Sequence, residues 1–226
     1  MSPSIDIAKY VEGLSPVDLK SPVPLAANVS LPEESDSAEG IPNVVHFVFG
    51  MKKDMGGHPF SLVHYLSVRS AAINMKPKAI YFYYAYEPTG LYWDLIKHVL
   101  TLVHVKPVHT VFGREVKHYA HMADVIRLRA LLKHGGIYLD LDVIALKPFD
   151  SVLNSGADFV MGQEGENGRI GLCNAVIIAK KSSKFLKQWY QAYKTFDESA
   201  WNYHSVLLPG KMAKANPDLI KIVGYK

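Results

Sequence analysis

Hydrophobic and polar positions alternate along most of the chain in a pattern that predicts strands separated by helices. Three runs rich in β-branched and aromatic residues predict buried strands: 44–49, 79–86 and 107–112. Two segments between them predict helices: 61–74, for which Ser61 is a suitable cap, and 91–103. This alternation favours an α/β fold, in which helices flank a sheet with largely parallel central strands.

The second half of the chain continues the pattern after one long amphipathic helix at 121–133. Its apolar stripe has four members: Met122, Val125, Leu128 and Leu132. Gly135 suits the left-handed position that ends such a helix. The predicted elements that follow are strands at 137–142, 158–162 and 172–179, a helix at 184–196, and a short strand from Lys221.

Residues 1–40 differ from the rest of the chain. They contain five prolines, and residues 33–40 are rich in Ser, Glu and Asp. Such a segment buries little apolar surface, so we expect a loosely attached tail. The domain itself is expected to cover 41–226.

Composition narrows the class of protein. Hydrophobic residues make up 49% and charged residues 20% of the chain, which is typical of a globular domain. The net charge of +4 comes without a dense Lys/Arg run, so no nucleic-acid partner is expected. Cys173 is the single cysteine, which excludes an internal disulfide.

No apolar run reaches the roughly 20 residues that span a bilayer. No signal peptide is recognised either, and the compartment stays open.

Asp140 and Asp142 are the first candidates for chemistry. On an extended strand, positions two apart point to the same side, so the two carboxylates would repel each other. A divalent cation would relieve that repulsion, because hard cations bind carboxylate oxygens. The apolar neighbours predict that the pair lies where a buried strand ends, the edge at which open α/β sheets bind ligands. A bare Asp-x-Asp is also common in solvated turns, which is the competing interpretation.

Asp124 and Arg127 are the second candidates. They are three apart on the predicted helix and are therefore neighbours on one face. They could form an ordinary surface ion pair. They could equally bind a ligand, with Arg127 facing donor phosphate or sugar hydroxyls and Asp124 orienting it.

The run 121–142, which ends in His134-Gly135-Gly136-Ile137-Tyr138-Leu139-Asp140-Leu141-Asp142, closely resembles the signature of the DXD-containing glycosyltransferase sugar-binding family. Fungal initiating alpha-mannosyltransferases and animal alpha-galactosyltransferases are members. Residues 41–46 look like the family's opening strand, and 172–177 look like its strand after the DXD motif. The resemblance covers about 41 to 208.

The resemblance implies a GT-A fold and a retaining transfer from a nucleotide-sugar donor to an acceptor that stays unknown. It implies Mn²⁺ or Mg²⁺ between the DXD aspartates and the diphosphate. Asp142 would bind the metal directly, and Asp140 would reach it through water and contact the ribose or sugar. Asp124 and Arg127 would contact the donor sugar and act in catalysis. The other residues that it places at the donor are Val45, His46, Phe47, Tyr138 and Asn174. His46, from its position on a buried strand, is also typical of a core histidine.

Family members usually continue past the last strand, whereas this chain ends at Tyr225-Lys226. A fragment, a short isoform and a degenerate copy are all compatible with this. The alternative function is therefore a non-catalytic nucleotide-sugar or carbohydrate-binding protein. An aspartyl-phosphate phosphatase is disfavoured, because Val143-Ile144-Ala145 follow the motif where such enzymes carry Thr or Ser.

Trp201 lies where a pocket-closing loop would fall, although an ordinary loop is equally compatible.

Overall fold

A seven-stranded mixed sheet, in the order β3-β2-β1-β6-β8-β7-β9, forms the centre of the computed structural model. The structure describes residues 40–53, 59–181 and 183–224, so the tail predicted for 1–40 lies outside the described residues except for Gly40. The strands are β1 (Val45–Phe49), β2 (Ile80–Tyr84), β3 (Thr101–His104), β4 (Thr110–Val111), β5 (Arg114–Glu115), β6 (Gly136–Leu139), β7 (Phe159–Glu164), β8 (Gly171–Ala179) and β9 (Lys221–Val223). The helices are α1 (Leu62–Ser70), α2 (Leu91–Ile96), α3 (Tyr119–His134), α4 (Asp150–Leu153), α5 (Lys184–Ala192) and α6 (Leu208–Ala215).

The four strands β3, β2, β1 and β6 are parallel neighbours, which confirms the predicted α/β class with parallel central strands. β8 runs antiparallel to both β6 and β7, and β9 pairs in parallel with β7. Because β1 and β6 are parallel and adjacent, their carboxyl ends meet at one edge of the sheet. The DXD segment follows β6 at that edge.

Helices cover both faces of the sheet, and alternate residues of its central strands belong to one core or the other. In β6, Tyr138 belongs to the core beneath α3 and α5, whereas Ile137 and Leu139 belong to the core beneath α1 and α2. The long helix α3 and the glycine after it were predicted correctly. Gly135 has φ +64, a left-handed value that a residue with a Cβ rarely adopts.

The region between α2 and α3 departs from the prediction. The helix predicted for 91–103 ends at Ile96, continues as one 3₁₀ turn and gives way to β3. β3 pairs in parallel with β2, so it satisfies backbone groups that β2 would otherwise leave unpaired. Its β-branched Thr101 and Val103 favour that outcome over the helical spacing. The strand predicted for 107–112 is reduced to Thr110–Val111 in a hairpin with β5.

Two helices were missed: α4 and α6. The first is a single turn, and the second begins at Leu208-Pro209 as the direct continuation of a π-helical turn at Tyr203–Leu207. Among the helices of the described residues, none has both the length and the apolar character needed to cross a membrane.

Candidate functional site

Arg127 is the centre of the candidate site. It is only 6% exposed, because α3 turns this face toward the sheet. Its Nη2 lies 3.2 Å from Oδ1 of Asp124 one turn earlier, and its Nη1 lies 3.2 Å from Oδ1 of Asp140 after β6. One guanidinium therefore bridges carboxylates from two elements. Asp124 is buried with it, whereas the Asp140 side chain is 32% exposed.

Tyr138 supports this arrangement from β6. The Arg127 Cζ lies 4.4 Å from the centre of the Tyr138 ring, and the Tyr138 hydroxyl donates a 2.6 Å hydrogen bond to Oδ1 of Asp140. A cation over an aromatic face is attracted to it, most strongly where water is excluded. Tyr138 thus orients Asp140 and holds Arg127, and it is itself almost fully buried.

Asn174 joins the cluster because β8 is irregular at this point. Met161 of β7 pairs with Ile177, but the next residue, Gly162, pairs with Cys173, so residues 174–176 have no partner in β7. Released from the regular ladder, Asn174 accepts a 2.8 Å hydrogen bond at its carbonyl from Arg127 Nη1. Its Nδ2 donates a 2.9 Å hydrogen bond to Oδ1 of Asp124. Bulges of this kind commonly re-aim a side chain beside a site.

Burial controls the electrostatics of the cluster. Burial raises the pKa of the Asp124 carboxyl, and the Arg127 guanidinium and the Asn174 amide oppose that rise. Burial alone would lower the pKa of Arg127, but Tyr138, Asp140 and Asp124 together raise it above its usual value. Burial also raises the pKa of Tyr138. Arg127 Nε is buried, and no residue in the described part of the chain accepts a hydrogen bond from it.

The DXD segment is a turn and not the end of a strand, so the predicted strand 137–142 is wrong beyond Leu139. The Asp140 N–H donates to the Ala175 carbonyl at 2.8 Å, and the chain then turns, with the Val143 N–H donating to the Asp140 carbonyl at 3.1 Å. The two carboxylates consequently have different surroundings. Asp140 points back to Arg127 and Tyr138, whereas Asp142 is exposed.

The other side of the turn contains His64. Burial lowers the pKa of His64, and the Asp142 carboxylate works against that shift. His64 Nδ1 accepts a 3.0 Å hydrogen bond from the Ser61 N–H at the start of α1, and its ring packs 4.8 Å from Phe49 at the end of β1. This histidine was not predicted, and no motif in the sequence marks it.

The side chains at the DXD turn could supply some of the ligands that a hard cation needs. Asp140 and Asp142 supply carboxylate oxygens, the ligands that Mg²⁺ and Mn²⁺ prefer. Across the residues that the structure describes, no three His, Cys, Asp or Glu side chains are grouped closely enough to hold a metal by themselves. An ion here would therefore take its remaining ligands from water or phosphate oxygens, as Mg²⁺ commonly does.

Val45, His46 and Phe47, predicted at the donor, are fully enclosed in the core and leave no side-chain surface open to a ligand. His46 Nε2 lies 2.8 Å from the Gly135 carbonyl, and its Nδ1 lies 3.2 Å from the Tyr83 hydroxyl. Burial lowers the pKa of His46 to about 4, so the ring is neutral. The structure thus places His46 in the core, as the neighbour of Tyr138 in the parallel pair of β1 and β6.

The central part of the chain matches a known family, and most of the chain matches a known fungal protein. Residues 70–158, which include α3 and the DXD turn, match the family described as "Glycosyltransferase sugar-binding region containing DXD motif". Glucan organizing enzyme 1 of Cryptococcus neoformans var. grubii serotype A is 41% identical over 194 residues, covering 82% of this chain and 53% of the relative. An uncharacterized protein of Arabidopsis thaliana is 34% identical over 103 residues, covering 45% of this chain and 15% of its own length. The chain spans about half the length of the Cryptococcus relative.

The architecture has a counterpart among solved structures. The PaToxG glycosyltransferase superposes with a TM-score of 0.52 at 15% identity, covering 79% of this chain and 71% of that chain. Similarity at this identity concerns the fold alone. The predicted GT-A fold and the predicted resemblance to the DXD-motif glycosyltransferases are both confirmed.

Proposed function

We propose that this chain, whose residues 70–158 are a DXD-containing sugar-binding region of the glycosyltransferase type, transfers a sugar from a nucleotide-sugar donor with the help of Mn²⁺ or Mg²⁺. One observation carries the proposal: the buried Arg127 contacts both Asp124 and Asp140, directly beside the exposed Asp142. Here a buried cation is shared between a helix and the end of a strand, at the edge where α/β sheets bind ligands.

The proposed roles follow from the surroundings of each side chain. Asp142, open to solvent, would bind the cation directly, and Asp140 would reach it through water. The ion would supply positive charge that stabilises the departing diphosphate. Arg127 and Asp124 would contact the donor sugar: Asp124 would accept from a sugar hydroxyl, and the guanidinium of Arg127 would face the sugar or phosphate while holding Asp124 in place.

Asn174 and Tyr138 would position these groups. Asn174 fixes Asp124 through its amide and Arg127 through its carbonyl. Tyr138 fixes Asp140 through its hydroxyl. Positioning of this kind matters because small displacements of reacting groups cost large factors in rate. Retention of configuration is part of the proposal on the strength of the family resemblance. The relative's name, Glucan organizing enzyme 1, supports a carbohydrate acceptor.

A second candidate is a protein that binds the nucleotide sugar or a carbohydrate without turnover. The observation that favours it concerns the metal ligands. Among the described residues, no three His, Cys, Asp or Glu side chains lie close enough together to hold a metal. The two candidates share the donor site and differ in turnover alone.

The test combines ligand stabilisation with donor hydrolysis. The full chain is incubated with Mn²⁺ and a panel of uridine and guanosine diphosphate sugars, and melting temperature and free sugar are both measured. Ligands that bind the native state alone stabilise it, by about 2.7 kcal/mol at 100 times the dissociation constant. We expect a metal-dependent rise of several degrees with at least one donor, together with slow hydrolysis.

Matched variants separate the site from a general charge effect. Asp142→Asn removes the exposed DXD carboxylate and should abolish the Mn²⁺-dependent rise without lowering the stability of the apo protein. Asp218→Asn, at an exposed aspartate before β9, should leave the rise intact. An unchanged rise in Asp142→Asn would place the metal elsewhere. A rise without hydrolysis for any donor would favour the non-catalytic candidate.

A further inference from the structure

Trp201 is the one tryptophan that the fold leaves open to solvent. The chain has three tryptophans. Trp93 and Trp189 are each 1% exposed, whereas Trp201, in the turn after α5, is 61% exposed. A single exposed apolar side chain is ordinary on a protein surface. Trp201 differs from such a residue in two respects: several contacts fix its position, and these contacts are made at the start of α3.

Two side chains fix Trp201 against the start of α3. Its carbonyl lies 3.1 Å from Nε2 of His121, and its ring packs edge to face on His118, with the ring centres 4.9 Å apart. Glu198 closes the arrangement: Oε1 accepts from the His118 N–H at 2.8 Å, and Oε2 lies 3.1 Å from Nδ1 of His121. His121 is 3% exposed and Glu198 is 24% exposed, so a buried histidine and a half-buried carboxylate hold the loop that carries the exposed ring.

This loop adjoins the donor cluster through His121. His121 lies one turn before Asp124 on the same face of α3 and works against the rise in the pKa of the Asp124 carboxyl. The same residue contacts the Trp201 carbonyl, so one side chain separates Trp201 from the turn of α3 that carries Asp124.

The segment after Trp201 packs directly on β8. Gly171, three residues before Asn174, has φ +151, and a Cβ there would lie 2.4 Å from the Val206 carbonyl. A Cβ on Gly210 would lie 2.9 Å from the Gly171 Cα. The two glycines therefore permit a backbone approach that brings the Trp201 segment beside the strand that carries Asn174.

We propose that Trp201 is the stacking surface for a sugar ring of a carbohydrate acceptor, next to the donor site. This rests on the proposed function. A pyranose presents a face of C–H groups that packs on an indole, while its hydroxyls stay hydrated or bind polar groups nearby. Large, rigid aromatic side chains give much contact area for little loss of conformational entropy. The Trp201 indole is exposed, fixed in position and next to the proposed sugar-transfer site, so it can provide the apolar surface on which a pyranose ring stacks.

Tryptophan fluorescence tests the proposal without any need for turnover. Because Trp93 and Trp189 are buried, quenching by acrylamide in the parent reports on Trp201. The probes are glucose, galactose and mannose oligosaccharides of three to five residues at millimolar concentration. We expect at least one of them to reduce the quenching constant twofold or more, saturably. If none protects the indole, the proposal is wrong, whatever the enzyme does with its donor.

Variants then connect the ring to transfer. Trp201→Ala should keep donor hydrolysis and the Mn²⁺-dependent thermal shift near parental values, and should raise the KM for the protecting oligosaccharide at least tenfold. Trp201→Phe should restore much of that loss, and Phe112→Ala, at an exposed aromatic on the β4–β5 turn, should change nothing. An unchanged acceptor KM in Trp201→Ala would overturn the assignment. Parent protein that protects its indole but never hydrolyses a donor would refute the proposed transfer and leave the carbohydrate surface in place.

Discussion

Replacing Arg127 by alanine should cost folding stability as well as donor binding. One of the two interpretations of the sequence was an ordinary surface ion pair, whose loss would cost the fold about 0–1 kcal/mol. In the structure Arg127 is 6% exposed and lies 3.2 Å from two carboxylates. Removing it leaves Asp124 buried without its cation, and an unpaired buried charge is strongly destabilising.

The expected magnitude follows from these contacts. At an effective dielectric constant of about 20, each 3.2 Å pair has a gross attraction of about 5 kcal/mol, largely offset by the desolvation of its partners. Breaking a buried pair by deleting one partner costs roughly 3–5 kcal/mol. Asp140 can regain water, since its side chain is 32% exposed, so we expect the lower end. About 3 kcal/mol corresponds to a fall of roughly 6–12 °C in the melting temperature of a domain of this size.

The assay is urea unfolding of three proteins over a range of pH: the parent, Arg127→Ala, and Arg127→Ala with Asp124→Asn. Burial already raises the pKa of Asp124, and without Arg127 the pKa should rise further. An acid whose pKa is higher in the folded state favours folding while it is protonated, and this contribution is lost as pH rises through the folded pKa. The single variant should therefore lose stability progressively above about pH 4, and the double variant should lose that slope and recover more than half of the deficit. A loss below about 1 kcal/mol with no pH slope would show that water compensates the cluster and would refute the reasoning.

Three further outcomes are expected. Deleting residues 1–40 should change the melting temperature by no more than a few degrees, and a larger fall would make the tail part of the core. Cys173 should react slowly with iodoacetamide at pH 8 and much faster near pH 11, because burial raises its pKa to about 11; rapid alkylation at pH 8 would contradict that burial. Gly171→Ala should lower the melting temperature more than Gly156→Ala does, since both have positive φ but a Cβ at Gly156 meets open space; equal effects would show that the contact with Val206 relaxes easily.

The sequence predicted best where a long periodic pattern and a specific motif coincide. The apolar stripe of α3 and the glycine at its end located both ends of that helix to within two residues and the start of β6 to within one, because the spacing indicates which face is buried. The same periodicity failed at 91–103. There the partner strand, 20 residues away in sequence, decides the conformation of Thr101–His104. Local patterns carry no information about such a partner.

The sequence named some residues of the candidate cluster and did not give its geometry. The resemblance named Asp124, Arg127 and Asn174, and the structure brings them together. Three features had no sequence signal: the burial of Arg127, the turn at the DXD motif, and the position of Glu198 beside His121. Each depends on contacts between elements far apart in the chain. His118 and Glu198, for example, are separated by 80 residues.

The irregular stretch of β8 has a consequence for how the site can change. Arg127 is held there by the carbonyl of Asn174, a group that every amino acid possesses. A scan of side chains at position 174 would report the loss of the amide contact to Asp124 and would miss the carbonyl contact entirely. A change in chain length would act differently: removing Ala175 or Val176 would withdraw the Asn174 carbonyl from Arg127 while leaving every side chain of the cluster in the sequence. We therefore expect the amino acid at position 174 to vary more freely among related sequences than the number of residues between Cys173 and Ile177.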